Sequence, residues 1–554
     1  MTVCGKLDPQ ALRVVDTVPS PPKVSKQSRS LSSASLQKPD TTRTPVTSGV
    51  LASLLLFWTL MMISWDGHPT EFWSVQLNGT AGSSVVPYAI TNDRHHNLYT
   101  CGTYEGGVVI ARNTSNPTPT KGGYATVLNY TTGAINWVVD VSVAEVRSSS
   151  HMGASFNDVV TDGTTVFWLG MFESSMANVR IRSTPDTPGG ANVVSELTSS
   201  ELSANGTVSI FMFSHGVGDS PGVWSSSHVI NAHNGSTVGC LKITTGDTYV
   251  YVGFSENETT TRIMVFEKNH TEHGTILRFH TYITGADLKD LAFMPDSQSG
   301  TIVMVLNSVQ SNITVKTTDV STENTTTVMF QSLGKDTSMT TAFDTTLTSY
   351  PKWMLMSHKS EFEVQAITPG ASGVYFVAAH VPKASSIYLS TSYMSMRTKM
   401  TLPWNAAPGV TFGYIKEDGT LENTNIWRAN ASSSGNVVMA HDIDFDLSGQ
   451  LLIVGLTVSN GENLTRTLIS MNTSNSGVLW NVSVQGGNSN NNNLTSPVLV
   501  TSLRDHRHQY TTPTAVLTGE FYGTIMYQSI SMEASGETDG YILPINAATV
   551  AGSS

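Results

Sequence analysis

His441-Asp-Ile-Asp-Phe-Asp446, Leu447-Ser-Gly449 and Leu451-Leu-Ile-Val-Gly455 decide how the rest of the chain is read. The first stretch alternates polar and apolar residues, the second is a turn, and the third is an apolar run of strand length, so together they specify a β-hairpin. A polar loop then leads to Thr467-Leu-Ile-Ser-Met471, a second turn at 472–477, and Val478-Leu-Trp-Asn-Val-Ser-Val484, closed by Gly486-Gly487. Four short strands in roughly 45 residues is the size of one β-propeller blade.

The unit recurs outward from there. Asn97-Leu-Tyr-Thr-Cys-Gly102, Gly123-Tyr-Ala-Thr-Val-Leu-Asn129 and Ala134-Ile-Asn-Trp-Val-Val-Asp-Val141 make a first copy. A second runs over 156–224, with a Pro/Gly-rich insertion at 183–190. A third covers 249–279; a fourth, over 288–334, is degenerate and ends in Thr-rich strands; a fifth covers 364–427. The quoted stretch is the sixth, and Ala515-Val-Leu-Thr-Gly519 with Asp539-Gly-Tyr-Ile-Leu-Pro-Ile-Asn546 belongs to the seventh. Seven units over 71–554 average about 69 residues, longer than the roughly 40 to 50 of compact blades, which predicts long loops on the rim where propellers bind. The fold class is therefore all-β, a β-propeller of seven blades.

The seventh unit lacks its last strand, and the N-terminal end of the repeat region supplies a match. Phe72-Trp-Ser-Val-Gln-Leu-Asn-Gly79 is similar to Leu479-Trp-Asn-Val-Ser-Val-Gln-Gly486, with Trp73 answering Trp480. Residues 72–78 are predicted to close the ring as the outer strand of the last blade, beside 540–545, because an unfinished blade leaves an exposed sheet edge.

The order of apolar strand, Gly turn, Tyr-Val-x-Gly, a strand ending in Asn, a Thr-Gly turn and Trp resembles the SBBP-type β-propeller repeat family. The match is best at Asn97–Trp137 and His441–Trp480. That resemblance implies a fold and a surface or secreted setting, and carries no catalytic residues over to this chain.

Of the 554 residues 13% are charged and the formal charge is −12, which argues against nucleic acid as a partner, since phosphate contacts need clustered Lys and Arg. Residues 1–48 hold seven Lys/Arg (Lys6, Arg13, Lys23, Lys26, Arg29, Lys38, Arg43) against Asp8, Asp16 and Asp40, and read as a disordered basic cytoplasmic tail. Residues 50–65 carry no charge and would make a helix of about 24 Å, short for a bilayer core but long enough for a transmembrane signal anchor with interfacial Trp. A cleaved leader and a buried helix are the competing readings. By the positive-inside rule, 71–554 is the extracellular or lumenal domain of a single-pass membrane protein.

Glycosylation sequons fall only after the anchor, at Asn78, Asn113, Asn129, Asn205, Asn234, Asn257, Asn269, Asn312, Asn324, Asn430, Asn463, Asn472, Asn481 and Asn493. Three cysteines cannot form a disulfide framework; Cys101 and Cys240 sit in strand-like contexts and read as buried free thiols.

Chemistry-bearing motifs are scarce. His441-Asp442-x-Asp444-x-Asp446 invites a metal reading, but its alternation with Ile443, Phe445 and Leu447 is that of a half-buried strand, and it lacks the calcium-loop Gly and Glu. His95-His96 and Asp505-His-Arg-His508 fall in turn-like positions and read as solvated loops. No nucleophile elbow, zinc motif, phosphate loop, dinucleotide fingerprint or sialidase-type Asp box is present, so no catalytic, cofactor or metal residue is assigned. The sequence supports a glycosylated surface ectodomain binding a protein or glycan on the propeller rim. A lumenal glycan-processing enzyme and a structural coat protein are the alternatives, and oligomeric state stays open.

Overall fold

Every residue of Thr165–Phe172 (Thr-Val-Phe-Trp-Leu-Gly-Met-Phe) is buried, and so is every residue of Thr301–Ser308. A strand reads as a continuous apolar run when both faces of its sheet are covered. In the computed structural model that covering comes from other sheets stacked on either side. The structure describes most of residues 73–545; outside the described residues lie 1–72, 546–554 and a set of connecting segments, the longer ones at 144–152, 184–192, 199–207, 428–436, 487–497 and 503–514.

Among the described residues all elements are strands, and they form seven antiparallel sheets. Blade 1 runs outward from the axis as Ser84–Asn92, Asn97–Glu105, Lys121–Asn129 and Ile135–Val143, and blade 2 as Ala154–Thr161, Thr165–Phe172, Ser209–Gly216 and Ser226–Asn231. Blade 3 is Val238–Thr245, Tyr249–Glu256, Thr260–Asn269 and Gly274–Thr284; blade 4 is Ala286–Met294, Thr301–Ser308, Thr337–Phe343 and Trp353–His358. Blade 5 is Phe362–Pro369, Gly373–His380, Gly409–Lys416 and Leu421–Trp427; blade 6 is Val437–Phe445, Leu451–Ser459, Leu464–Asn472 and Val478–Gly486. Blade 7 joins Val498–Ser502, Ala515–Phe521 and Asp539–Ile545 to Val75–Gly79 from the other end of the sequence, in the register Val75↔Ile542, Gln76↔Tyr541 and Leu77↔Gly540. The protein is a seven-bladed β-propeller whose ring is closed by that strand.

Buried apolar residues fall into seven clusters, one in each seam between successive blades. Alternation along a strand sends one set of side chains to each neighbour. In Asp539–Ile545, for example, Tyr541, Leu543 and Ile545 enter the seam with blade 6, while Ile542 enters the seam with blade 1.

Five sheets are extended to six strands by a device the sequence reading did not anticipate. The connection between the second and third strands of a blade forms a hairpin that adds to the outer edge of the preceding blade. Met176–Ser183 with Val193–Thr198 leaves blade 2 to pair with the outer strand of blade 1, and Asn312–Asp319 with Thr325–Gln331 leaves blade 4 to pair with that of blade 3. Ser385–Ser390 with Thr398–Leu402 passes from blade 5 to blade 4, and Thr524–Tyr527 with Ile530–Glu533 from blade 7 to blade 6. Val108–Ile110 with Asn113–Thr114 passes from blade 1 to the closing strand in blade 7. Blades 2 and 5 stay at four strands because blades 3 and 6 leave only 257–259 and 460–463 between those strands, too few residues for a hairpin.

These hairpins correct the expected long rim loops, because much of the excess length per unit is paired sheet. The insertion at 183–190 falls, in sequence, between the two strands of one such hairpin, Met176–Ser183 and Val193–Thr198. The Thr-rich strands assigned to the fourth unit lie in blade 3's sheet, and the true third and fourth strands of blade 4 follow them. The first strands of blades 3 and 7 were also missing from the sequence reading. The segments read from sequence as a cytoplasmic tail, 1–48, and an anchor, 50–65, lie outside the described residues; no helix among the described residues is long and apolar enough to cross a membrane.

Candidate functional site

The first strand of each blade packs against the first strands of its two neighbours and lines the channel. Six of the seven carry a bulge, at Pro87/Ala89, Phe156/Asp158, Val238/Leu241, Leu288/Asp290, Val364/Ala366 and Ala440/Asp442. A bulge inserts an extra residue and re-aims the side chains beside it. In blades 2, 4 and 6 the residue after the bulge is an aspartate, and the three do the same thing. One oxygen of Asp158, Asp290 and Asp442 accepts the N–H of the next residue, Val159, Leu291 or Ile443, at 2.9 Å each. The other accepts a backbone N–H from the first strand of the following blade: Ile243 at 2.9 Å, Ile367 at 2.8 Å and Val500 at 2.9 Å. Gln365 joins blades 5 and 6 in the same way, its Oε1 accepting the Ala440 N–H at 2.8 Å.

Lys242 is the cation of this belt, 3.5 Å from Asp290, and the charge of Asp290 raises its pKa above the ordinary lysine range. Asp158 and Asp442 keep part of their surface exposed, yet protein surrounds both. Burial pushes Asp158 up to about 6 and Asp442 up to about 7, against the opposing pull of Lys242 and of the N–H groups each accepts. Beside Asp442, His441 Nε2 lies 2.8 Å from Thr457 Oγ1, and burial, with the nearby Arg466 charge, lowers its pKa to about 4. Asp444 Oδ2 accepts the Thr501 hydroxyl at 3.2 Å, and Asp446 lies outside the described residues. The stretch that invited a metal reading is thus a half-buried strand whose acidic groups are drawn into contacts with blade 7. Among the described residues no three His, Cys, Asp or Glu side chains gather as a metal site.

At the end of the ring where the first strands begin, a cleft of about 210 Å³ opens between blades 1 and 2. Its walls include Tyr88, Tyr104, Thr103, Ser155, Met171 and Phe172, and Glu105 and Lys121 pair at 3.0 Å beside it. Tyr88 occupies the bulge of blade 1, so it projects where regular alternation would not place it. Gly122 is required behind Tyr104, since a Cβ there would stand 2.4 Å from the tyrosine ring. The Thr103 hydroxyl donates to the Gly122 carbonyl within blade 1 at 3.0 Å and across the seam to the Ala154 carbonyl of blade 2 at 3.3 Å.

Of the sequons, Asn257, Asn312, Asn324 and Asn481 are exposed, and Asn78, Asn129, Asn269 and Asn472 are partly buried. Asn113 lies in the hairpin strand Asn113–Thr114. Asn205, Asn234, Asn430, Asn463 and Asn493 lie outside the described residues, as do His95, His96 and 505–508. Cys101 is buried in the seam between blades 1 and 2; Cys240 is partly buried in blade 3, its thiol donating to the Lys289 carbonyl at 3.1 Å, and both are free.

The belt had a signature in the sequence. Phe156-Asn-Asp-Val, Leu288-Lys-Asp-Leu and Ala440-His-Asp-Ile each place two polar residues together where a half-buried strand should alternate. That break in period marks the bulge, whereas the cleft has no such mark, because its walls come from separate strands of two blades.

No family model matches the sequence, and no curated protein matches it. Solved structures with a similar arrangement include the Nup133 β-propeller domain of Vanderwaltozyma polyspora, at 6% identity and TM-score 0.28, covering 70% of this chain and 99% of that one. The WD40 domain of SCAP from fission yeast is similar at 9% identity and TM-score 0.29, covering 86% and 98%. The NanB sialidase of Streptococcus pneumoniae is similar at 11% identity and TM-score 0.24, covering 88% and 72%. Likeness at this level says nothing of ligand or reaction.

Proposed function

We propose that this chain is the ectodomain and anchor of a single-pass membrane glycoprotein, built on SBBP-type repeats, that binds a protein or glycan through the cleft between blades 1 and 2. The cleft carries the reading: two tyrosines and two apolar side chains offer a flat surface, and Thr103, Ser155 and the Glu105–Lys121 pair offer polar edges. Binding sites generally combine an apolar wall with a few placed polar groups. The channel carboxylates serve to join the blades, because Asp158, Asp290 and Asp442 each accept one backbone N–H on each oxygen, one of the two from the next blade.

The basic tail 1–48, the apolar segment 50–65 and the spread of sequons support the topology, with the cell surface or secretory lumen as its compartment. The experiment is a screen of the purified protein on glycan and peptide arrays, read for both binding and turnover. Tyr88→Ala and Lys121→Glu should each weaken a retained ligand roughly 10-fold or more, since aromatic anchors and charged groups dominate such contacts. Turnover of a glycan, or binding indifferent to both substitutions, would sink the reading.

A further inference from the structure

Arg466 is the one described arginine among the largest fully buried side chains, with 1% of its surface exposed, and both its Nε and Nη1 are without a hydrogen-bond partner. It stands in the third strand of blade 6, opposite Thr457 on one side and Val484 on the other. Val484 and Leu468, which share its face by alternation, belong to the seam with blade 7, so the guanidinium points into that seam near the rim. Across the seam stands Tyr541, fully buried, whose hydroxyl is also without a partner. Tyr522, half-buried in the turn after Ala515–Phe521, lies close enough to feel the same positive charge.

A guanidinium does not shed its proton, so burial cannot neutralise it as it neutralises a lysine or carboxylate. Left without an anion for its buried Nε and Nη1 among apolar side chains, the charge is strongly destabilising. Glu520 is the acid nearest in sequence to this rim of blade 7, but it is not placed to answer. In Ala515–Phe521 the residues Ala515, Leu517 and Phe521 face blade 6, while Val516 faces blade 1, and Glu520 alternates with the latter set. Its charge is felt at Tyr88 on the first strand of blade 1 and also at Tyr522 and Tyr541, but Arg466 Nε and Nη1 make no hydrogen bond to it.

We propose that the seam between blades 6 and 7 is an oxyanion site, in which the Arg466 guanidinium and the Tyr541 hydroxyl take up a carboxylate or phosphate group of a small ligand. Two donors from adjacent blades that face the same apolar seam suit a planar or tetrahedral anion, which would satisfy the buried charge and the buried hydroxyl at once. The site is separate from the cleft between blades 1 and 2 and does not depend on it.

The test is thermal unfolding of the full-length chain titrated with sodium acetate and, separately, sodium phosphate, with sodium chloride at matched ionic strength as reference. Phosphate strengthens burial nonspecifically, so the reading is the saturable part of the shift. At least one oxyanion should give saturable stabilisation over chloride, and which one does separates a carboxylate site from a phosphate site. Tyr541→Phe should weaken the response roughly 2- to 10-fold and Arg466→Met roughly 10- to 100-fold, the worth of a neutral and of a charge-assisted hydrogen bond. In chloride alone Arg466→Met should unfold at a higher temperature than the parent, because an apolar side chain replaces an unpaired charge. If Arg466→Met fails to fold, Arg466→Lys, which keeps the charge and loses the planar fork, should still show the weakened response. Absence of a saturable response to both anions, or a response that these substitutions leave intact, would overturn the proposal. Strong coupling between Arg466→Met and Glu520→Gln without an anion response would overturn it too, by showing the charge paired within the protein.

Discussion

Asp442 does two jobs at one bulge, and its environment gives it an unusual pH behaviour. Its folded pKa of about 7 lies above the ordinary carboxylate value of 3.8, so the folded protein holds a proton that the unfolded chain has already lost. Its contribution to stability is therefore complete below about pH 4 and disappears as pH rises through 7. Asp158 acts in the same direction with a midpoint near 6. His441 opposes them: its pKa of about 4 lies below the ordinary 6.5, so stability is lost as pH falls through that window. Above pH 6.5 the histidine's contribution no longer changes with pH, and the change that remains comes mainly from Asp442. Urea midpoints should accordingly be lower at pH 8 than at pH 6.5, and Asp442→Asn should narrow that difference. A midpoint difference unchanged in Asp442→Asn would mean the carboxyl is ionised throughout, held by Lys242 more strongly than burial opposes it.

At the scale of the element, the exchanged hairpins carry the main consequence. Asn312–Asp319 and Thr325–Gln331 bury Ile313, Val315, Val328 and Phe330 against the seam of blades 3 and 4 while covering the outer strand Gly274–Thr284. Without them that strand would be an open edge, the kind that pairs with other chains. Replacing 309–336 with a short turn like the one at 257–259 should raise hydrogen exchange across Gly274–Thr284 and promote aggregation, while Ala286–Met294 near the axis stays protected. Unchanged exchange at 274–284 would show that the edge does not depend on the hairpin. The same element shows what a sequence can and cannot convey. Ile313, Val315 and Thr317 alternate with polar residues, so strand character is legible from local periodicity. Which sheet they join is set by pairing with a blade that comes before them, and nothing local records it. The inner strand Val238–Thr245, strand-like around Cys240 in sequence, found no place in a blade for a related reason, since Gly239-Cys-Leu-Lys crosses a bulge and breaks the period. The four strands of blade 6 are legible within a few residues of their ends, because short polar stretches of sequence separate them. The cleft and the Arg466 seam were not legible, because each is assembled from strands of two blades.

At the scale of the whole ring, closure is the point on which cooperativity depends, and Trp73 shows how it is secured. The strand Val75–Gly79 sits between Asp539–Ile545 and the hairpin strand Val108–Ile110, so it is laced on both edges. Asp539 binds it further, one carboxylate oxygen accepting the Gly79 N–H at 2.8 Å and the other the Gln76 side-chain amide at 2.8 Å. The sequence comparison set Trp73 against Trp480 as an anchor of the last blade, but the indole turns to blade 1, where its Nε1–H donates to the Tyr130 carbonyl at 2.7 Å. It packs on the turn at Gly133, whose φ is +69° and where a Cβ would stand 2.7 Å from the indole ring. Trp73 thus ties blade 7 to blade 1 instead of filling blade 7 alone, and its loss should loosen both. Because the indole is only partly buried, Trp73→Ala should cost about 2 kcal/mol, below the roughly 3–5 of a fully buried aromatic. Gly133→Ala should reproduce much of that loss, since it both strains a left-handed turn and displaces the ring. Hydrogen exchange should rise together at 540–545 and at 129–135, more than 400 residues apart in sequence. A rise confined to 129–135 would show that the strand pairs hold the ring without the indole, and that closure rests on Asp539 and the backbone ladder.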